Sequence, residues 1–184
     1  MDLRPATMAD VPALNAMIEA SARVLSAGYY TPPEIEAMIT HVFGVDTQLV
    51  VDGSYYVIDA SDGTPAACGG WSARLTLYGG DQMSGHVERD GRLDPRTDPA
   101  RIRAFFVHPA FARRGLGRRL YAACAAAAWA AGFRALELLA TLPGEPLYRA
   151  LGFVEVERIE VPLPGGVSVP VVRMARHLAE ARDA

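Results

Sequence analysis

A chain of 184 residues is long enough to bury one sizeable hydrophobic core and too short to make two ordinary domains the expectation. Hydrophobic residues make up 51% of it and charged residues 21%, a composition that is typical of folded globular proteins and excludes extensive disorder. The formal net charge of -3 excludes a general positive field that would attract nucleic acid or an anionic membrane, so any anion site must be local.

The amino-terminal part of the chain predicts two helices. Residues 1–5 contain no apolar leader, and we therefore expect a cytoplasmic protein. Apolar residues at helical spacing predict helices over residues 7–26 and 32–42. Each helix begins at a capping threonine that is followed three residues later by an acid, namely Thr7 with Asp10 and Thr31 with Glu34.

A β-hairpin is predicted next. Residues 54–59 and 64–77 have the composition of strands, and a tight turn at residues 61–63 joins them. Gly69 and Gly70 lie inside the second strand and indicate a bulge or a close approach of two backbones.

The central part of the chain predicts a surface excursion and then a strand-helix-strand unit. Residues 78–99 are rich in Gly, Asp, Arg and Pro, which indicates a long loop. Strands over residues 102–108 and 135–140 flank an alanine-rich helix over residues 116–131, and strands joined in this way usually pair in parallel. The predicted buried face of this helix carries Leu116, Leu120, Cys124, Ala127 and Ala131.

The last part of the chain predicts a short helix over residues 145–151 and a closing hairpin of residues 154–162 and 167–174. The valine-rich hairpin leaves two alternatives open, an edge that forms a homodimer or a sheet used entirely within one chain. Together these elements predict an α/β protein with a single mixed sheet and helices packed on it.

The two cysteines, Cys68 and Cys124, have small apolar neighbours and no metal-ligand spacing. No other group of histidines, cysteines or acids shows such spacing either. We therefore expect core cysteines and no metal site.

The most informative segment covers residues 105–118, where a predicted strand runs into a predicted helix. Gly115 and Gly117 stand at the helix start, where unpaired N–H groups favour an anion and glycine lets a phosphate approach the backbone. Four arginines add local positive charge: Arg113, Arg114, Arg118 and Arg119. The third glycine of the pattern G-x-G-x-x-G is replaced by Leu120 and no G-K-[ST] pattern is present, which disfavours the common nucleotide folds. The segment predicts a local phosphate site.

This segment resembles the R/Q-x-x-G-x-G/A motif of the GCN5-related N-acetyltransferase (GNAT) family, which it matches as Ala-Arg-Arg-Gly-Leu-Gly over residues 112–117. A second family motif is matched by Leu-Tyr-Arg-Ala-Leu-Gly-Phe over residues 147–153. The opening residues 3–7 and the hairpin at residues 56–71 extend the resemblance.

The resemblance implies a GNAT-like acyl-CoA N-acyltransferase fold, in which a mostly antiparallel central sheet carries helices on both faces. It implies a single domain over residues 1–184 with a loop insertion at about residues 78–100.

Acetyl-CoA is the cofactor that the resemblance implies. Its pantetheine arm would lie beside Phe106 and Val107. Ala112 stands where the family usually has Arg or Gln, which puts a side-chain contact in doubt but not the amide contacts, and Arg113 or Arg114 could compensate. The pyrophosphate would lie on the turn formed by Arg113, Arg114, Gly115, Leu116, Gly117 and Arg118.

The resemblance also implies that Tyr148 is the catalytic acid. A phenol can protonate or hydrogen-bond a departing thiolate without being ionised at neutral pH. The asparagine often found upstream of this tyrosine is absent from residues 141–146. His108, at the end of the preceding strand, is interpreted as structural.

The route by which the amine loses its proton stays open. Water-mediated deprotonation and capture of an already neutral amine are alternatives to a single base. The candidate bases are Glu34, His41, His86, Glu88 and Asp98.

The acceptor is expected where the first helices and the excursion meet the strand end. The candidates there are Tyr29, Tyr30, Glu34, His41, Tyr78, Asp81, Gln82 and His86. Two functions remain: an N-acetyltransferase that acts on an amine of a small molecule or peptide, and a catalytically silent acyl-CoA-binding sensor or partner module. The retained Tyr148 favours the enzyme, whereas Ala112 and the unassigned base keep the module open. Neither hypothesis involves nucleic acid or a membrane.

Overall fold

The structure, a computed structural model, describes residues 1–83 and 91–178. The strands in these residues are β1 (Asp2–Pro5), β2 (Tyr55–Asp59), β3 (Pro65–Ser72), β4 (Ala100–Val107), β5 (Ala135–Thr141), β6 (Val154–Leu163) and β7 (Val167–His177). They form one sheet in the order β1-β2-β3-β4-β5-β7-β6. Only β4 and β5, of the strands described, pair in parallel. The predicted mixed, mostly antiparallel sheet is confirmed.

The second predicted helix starts at its Thr31 signal, whereas Thr7 starts a short 3-10 turn, Met8–Asp10, and the first α-helix begins only at Val11. The α-helices are α1 (Val11–Leu25), α2 (Pro32–His41), α3 (Thr47–Val51), α4 (Leu116–Ala130) and α5 (Glu145–Ala150). At the start of α2 the backbone N–H and the hydroxyl of Thr31 both donate to the carboxylate of Glu34, at 2.6 and 2.8 Å. This contact satisfies a group that the first turn would otherwise leave unpaired.

Helices cover both faces of the sheet, as the contacts of the β2 side chains show. Its side chains alternate, as the two-residue period of a strand requires. Tyr55 and Val57 pack in one cluster with residues of α1 and α3, whereas Ile58 packs in another with Leu116 and Leu120 of α4. The two hydrophobic clusters therefore lie on opposite faces.

Several predicted boundaries need correction. β3 ends at Ser72 rather than residue 77, because its last ladder partner is Arg101 near the start of β4 and a strand extends only as far as its partner does. The sequence did not predict β1 or α3, since β1 is only four residues long and charged and α3 only a single helical turn. After Cys124 the buried face of α4 continues with Ala128 rather than with Ala127 and Ala131. Ala128 follows Cys124 by four residues, so the buried face keeps its four-residue spacing where the helix crosses the twisted sheet.

The predicted bulge at the double glycine is confirmed. The register between β3 and β4 shifts between Cys68 and Gly70, and Ala104 on the facing strand has a φ of 53°. A Cβ on Gly69 would overlap the ring of Phe105, so the glycine allows this ring to lie against the backbone.

Beyond the bulge, β4 and β5 separate. Both strands continue past their common ladder, but its residue pairs are confined to the start of β4. The pairs are Ala100 with Leu136 and Arg101 with Glu137. The diverging strands leave a gap in the sheet that opens toward the start of α4 and toward α5. Among the described residues, no helix combines the length and the apolar character that a membrane crossing requires.

Candidate functional site

The turn that leads into α4 has an unusual backbone. Arg113 has a φ of 63° and Gly115 a φ of 81°, both in the left-handed region. A Cβ on Gly115 would meet nothing within 4 Å, so this position requires glycine for its conformation and not for lack of space. Turns of this kind present backbone N–H groups to a common concave surface.

The helix start provides further donors. The first bond of the helix joins the Arg119 N–H to the Gly115 carbonyl at 3.1 Å. The N–H groups of the three preceding residues, 116–118, have no partner within the helix and point out of its end. Together with the helix dipole they make this end of α4 attractive to an anion.

A cleft of about 670 Å³ runs from this turn along the end of β4 to α5, with the end of α1 on its far side. It brings together every predicted site residue except Arg114, whose guanidinium lies over the ring of Phe111 at 5.5 Å. The predicted residues that line it are Phe106, Val107, Arg113, Gly115, Leu116, Gly117, Arg118 and Tyr148.

Gly117 has a second role that the motif did not indicate. A Cβ at this position would lie 2.8 Å from the Leu147 side chain. The glycine therefore lets α4 pack closely against α5, next to Tyr148. A substitution at Gly117 changes this packing as well as the approach to the backbone.

Tyr148 lies where the cleft narrows. It is 8% exposed, and its ring packs against Phe105 and Phe153 with centroid distances of 6.3 and 5.7 Å. Its hydroxyl makes no hydrogen bond with any described residue. Burial raises the pKa of Tyr148 above the ordinary value of a phenol, so the hydroxyl carries its proton over a wide pH range.

A second, smaller cavity of about 130 Å³ adjoins the cleft. It lies between the end of α2, the separated strands β4 and β5, and the β6–β7 hairpin. Residues that line both spaces are Phe43, Phe105, Phe106, Thr141, Gly144 and Tyr148. The two cavities therefore meet beside Tyr148.

A buried ion pair lies at the smaller cavity, whose lining includes Arg103 of the pair. The Arg103 guanidinium donates to the Asp46 carboxylate at 2.9 Å, to the Thr76 carbonyl at 2.9 Å and to the Gly79 carbonyl. These bonds hold the loop after β3 against β4. This arrangement was not predicted from the sequence, although an arginine within an otherwise apolar strand was a usable signal.

The candidate bases lie apart from Tyr148 where the structure describes them. Glu34 is engaged with Thr31, and Asp98 accepts from the Asp94 N–H at 2.7 Å ahead of β4, at the end away from the cleft. His41 lines neither cavity. His86 and Glu88 lie outside the described residues.

The acceptor candidates separate into different places. Tyr78 lines the smaller cavity and Tyr29 the larger cleft. Tyr30 is buried, and its hydroxyl donates to the Pro170 carbonyl and accepts from the Leu142 N–H, while burial raises its pKa to about 12. The remaining candidates line neither space: Glu34, His41, Asp81 and Gln82, with His86 outside the described residues.

The three residues to which the sequence assigned a structural role, His108, Cys68 and Cys124, have surroundings typical of structural residues. His108 accepts from the Ala110 N–H at 3.2 Å, which caps the turn after β4. Cys68 and Cys124 are buried free thiols, and burial raises the pKa of Cys68 to about 12. Within residues 1–83 and 91–178, no three His, Cys, Asp or Glu side chains lie close enough together to hold a metal ion.

Comparisons with known proteins agree with this geometry. A sequence model of the acetyltransferase (GNAT) family matches residues 20–153, more than half of the chain. No curated protein sequence matches this chain. A GCN5-related N-acetyltransferase from Rhodopseudomonas palustris superposes with a TM-score of 0.71 at 20% identity, over 96% of this chain and 95% of that chain.

Two further solved structures were determined with a cofactor. The PaiA N-acetyltransferase from Thermoplasma acidophilum, in complex with coenzyme A, has a TM-score of 0.63 at 13% identity over 96% of this chain and 98% of that one. A phosphinothricin acetyltransferase from Sinorhizobium meliloti, in complex with acetyl-CoA, has a TM-score of 0.63 at 19% identity over 97% and 89%. At these identities the likeness is one of fold.

Proposed function

The chain belongs to the acetyltransferase (GNAT) family, and from this premise we propose that it transfers the acetyl group of acetyl-CoA directly to a primary amine of a small molecule or peptide. One observation carries the proposal: a single cleft joins an anion-binding helix start to a buried, protonated tyrosine, beyond which a second cavity begins. Such a cleft suits a long donor with a charged end and a reactive end.

The residues of the cleft fit coenzyme A. The open space at Gly115 and the unpaired N–H groups of residues 116–118 suit its pyrophosphate, with Arg113 and Arg118 nearby. Because these contacts come from the backbone, they do not need the side chain that Ala112 lacks. Phe106 and Val107, on the separated part of β4, would line the pantetheine arm. When bound, the cofactor supplies an activated acetyl thioester.

Tyr148 holds a proton where acyl transfer needs one. A leaving thiolate is stabilised by a hydrogen-bond donor, and the buried phenol keeps its proton at neutral pH because its pKa is raised. The Phe105 ring packs against it at 6.3 Å, and both Phe105 and Phe106 line the junction of the two cavities. We assign Tyr148 as the catalytic acid.

The amine reaches this point without a dedicated base from the described part of the chain. No carboxylate or imidazole of residues 1–83 or 91–178 lines either cavity. We propose that the amine enters in its neutral form or gives its proton to water.

Calorimetric titration tests the proposal first. Acetyl-CoA should bind with micromolar affinity, while NADH and ATP, used as controls, should not. Coenzyme A release that depends on an added amine then tests transfer. Binding without release over a broad panel of amines would reject transfer and favour the acyl-CoA-binding module.

A further inference from the structure

The walls of the smaller cavity are predominantly apolar. They come from α2, β4, β5 and the β6–β7 hairpin, and include Met38, Ile102, Leu139, Val161, Leu163 and Val171. Apolar groups gain free energy when they leave water for walls of this kind. The cavity therefore favours a molecule with an apolar body.

The charge next to this cavity is already compensated. Arg103 is the one charged residue among the described residues that line it, and its side chain is 2% exposed. Its guanidinium is held by Asp46 and by the carbonyls of Thr76 and Gly79. A second ammonium group on an acceptor would meet this cation and no carboxylate of the described lining, and burial of an unpaired charge is costly.

The volume of the cavity sets the size of the group that enters it. At about 130 Å³ it is close to the roughly 150 Å³ of an engineered apolar cavity that admits benzene. A phenyl ring or a branched alkyl group fits this space. An ammonium end carried into it meets no carboxylate among the described residues of its lining.

The proposed transfer places the reacting amine beside Tyr148, where the two cavities meet. Resting on that function, we propose that the acceptor is a small primary amine whose body is a benzene-sized ring or a branched hydrocarbon, bound in the smaller cavity. Diamines, polyamines and lysine-rich peptides are then poor acceptors.

Two measurements on the whole protein test this specificity. Benzylamine and 3-methylbutylamine are compared with 1,4-diaminobutane, first by calorimetric titration into protein saturated with coenzyme A, where no turnover occurs. Release of coenzyme A from acetyl-CoA is then followed with each amine. We expect the apolar amines to be favoured at least about tenfold in Kd and in kcat/KM.

The outcomes separate the two proposals. Equal or tighter binding of the diamine, or no binding of any of the amines, overturns the inference. A clear preference in binding with no coenzyme A release from any amine supports the assignment of the cavity and rejects acetyl transfer.

A pair of loop variants localises the effect. Leu77 lines the cavity and is half-buried, whereas Leu75 in the same loop is 49% exposed and lines neither space. Leu77→Glu should lower kcat/KM for benzylamine at least about tenfold and reduce the preference over diaminobutane, because it introduces a carboxylate. Leu75→Glu should change neither value. Equal effects of the two substitutions contradict the assignment.

Discussion

Tyr148 contributes to the proposed reaction through its surroundings as much as through its hydroxyl. The rings of Phe105 and Phe153 remove water from it, and this burial raises its pKa. An acid must hold its proton until the leaving group needs it. At this position the protein stabilises the protonated form of an already weak acid.

Removal of this hydroxyl should lower kcat about 100-fold while the Kd for acetyl-CoA changes little, because Tyr148→Phe keeps the packing and loses the donor. Steady-state kinetics and calorimetry measure the two quantities. Tyr121→Phe is the matched control, since Tyr121 packs on the same Phe153 ring at 5.8 Å and lines neither cavity. Unchanged turnover in the Tyr148 variant would remove the acid role.

The same raised pKa gives a pH dependence. The acid is active below its pKa, so a pKa above the usual phenol value of about 10 predicts no loss of kcat from Tyr148 ionisation up to that pH. A descending limb near pH 9 that is absent from the Phe variant would contradict this expectation.

A second ionisable residue, Asp10, contributes to the free energy of unfolding in a pH-dependent way. Both Arg4 Nη atoms donate to the Asp10 carboxylate at 2.9 Å, and these hydrogen bonds hold the pKa of Asp10 well below its usual value. A lowered pKa contributes stability that is fully present above the unfolded pKa, near 3.9, and is lost as the pH falls toward the folded pKa.

Asp10→Asn should therefore lower the free energy of unfolding by about 1 kcal/mol at pH 7, with a difference that shrinks below about pH 4. Urea unfolding at several pH values measures it. Asp2→Asn, on the exposed start of β1, controls for the change in net charge. A difference that persists at low pH would show that Asp10 acts through packing.

At the scale of single residues, prediction from the sequence succeeded where a residue has a local reason to be present. Gly115 needs its left-handed φ, and Thr31 and Glu34 cap one another, so short patterns reveal them. Arg103 depends on Asp46, which is distant in the sequence, and no local pattern records that partnership.

At the scale of elements, the separation of β4 from β5 creates the site. A network of ion pairs stabilises the opposite end of these two strands, where they still pair with each other. Glu137 is 3% exposed, and its carboxylate accepts hydrogen bonds from the guanidinium groups of Arg101 and Arg173. These residues tie β4, β5 and β7 together where the strands still pair. The bulge at Ala104 then directs β4 away.

Loss of this network should destabilise the protein markedly. Glu137→Gln removes the buried carboxylate to which the half-buried Arg101 is bonded, and we expect the free energy of unfolding to fall by about 3 kcal/mol in urea titrations. Glu157→Gln, which removes the exposed partner of Arg173, should have a much smaller effect. Similar losses in both variants would show that burial is not the cause.

The sequence predicted most elements because their periodicity and end signals are local. It predicted parallel pairing of β4 and β5 from the helix between them, but not that the ladder would be only two pairs long. The ladder ends just before the β3–β4 bulge, where Gly69 contacts Phe105, and a contact between separate strands leaves no local pattern in the sequence. Short elements such as α3 were not predicted, because a single helical turn is too short to show a periodic pattern of apolar residues.

At the scale of the whole molecule, the cleft collects residues from widely separated parts of the chain. The motifs identified its contributions from β4, α4 and α5. They did not identify Ser26, Phe43 or Thr141, which reach the cleft only through the packing of the end of α1, the segment after α2 and the end of β5. The motif residues of the cleft could be predicted from the sequence. The residues of the opposite walls could not, because no catalytic or binding motif distinguishes them from ordinary packing residues.

One sheet runs from the β1 edge to β6, and the cleft is walled by elements from both sides of the β4–β5 gap. We therefore predict a single domain that unfolds in one transition, with equal calorimetric and van't Hoff enthalpies of about 130 kcal/mol near 60 °C. A ligand that contacts both sides should stabilise the whole unit, so acetyl-CoA at 100 times its Kd should raise the free energy of unfolding by about 2.7 kcal/mol, while NADH should not. Scanning calorimetry with and without each compound measures this. Two transitions, of which acetyl-CoA shifts only one, would show that the two sides of the gap fold separately and would overturn the single-domain prediction.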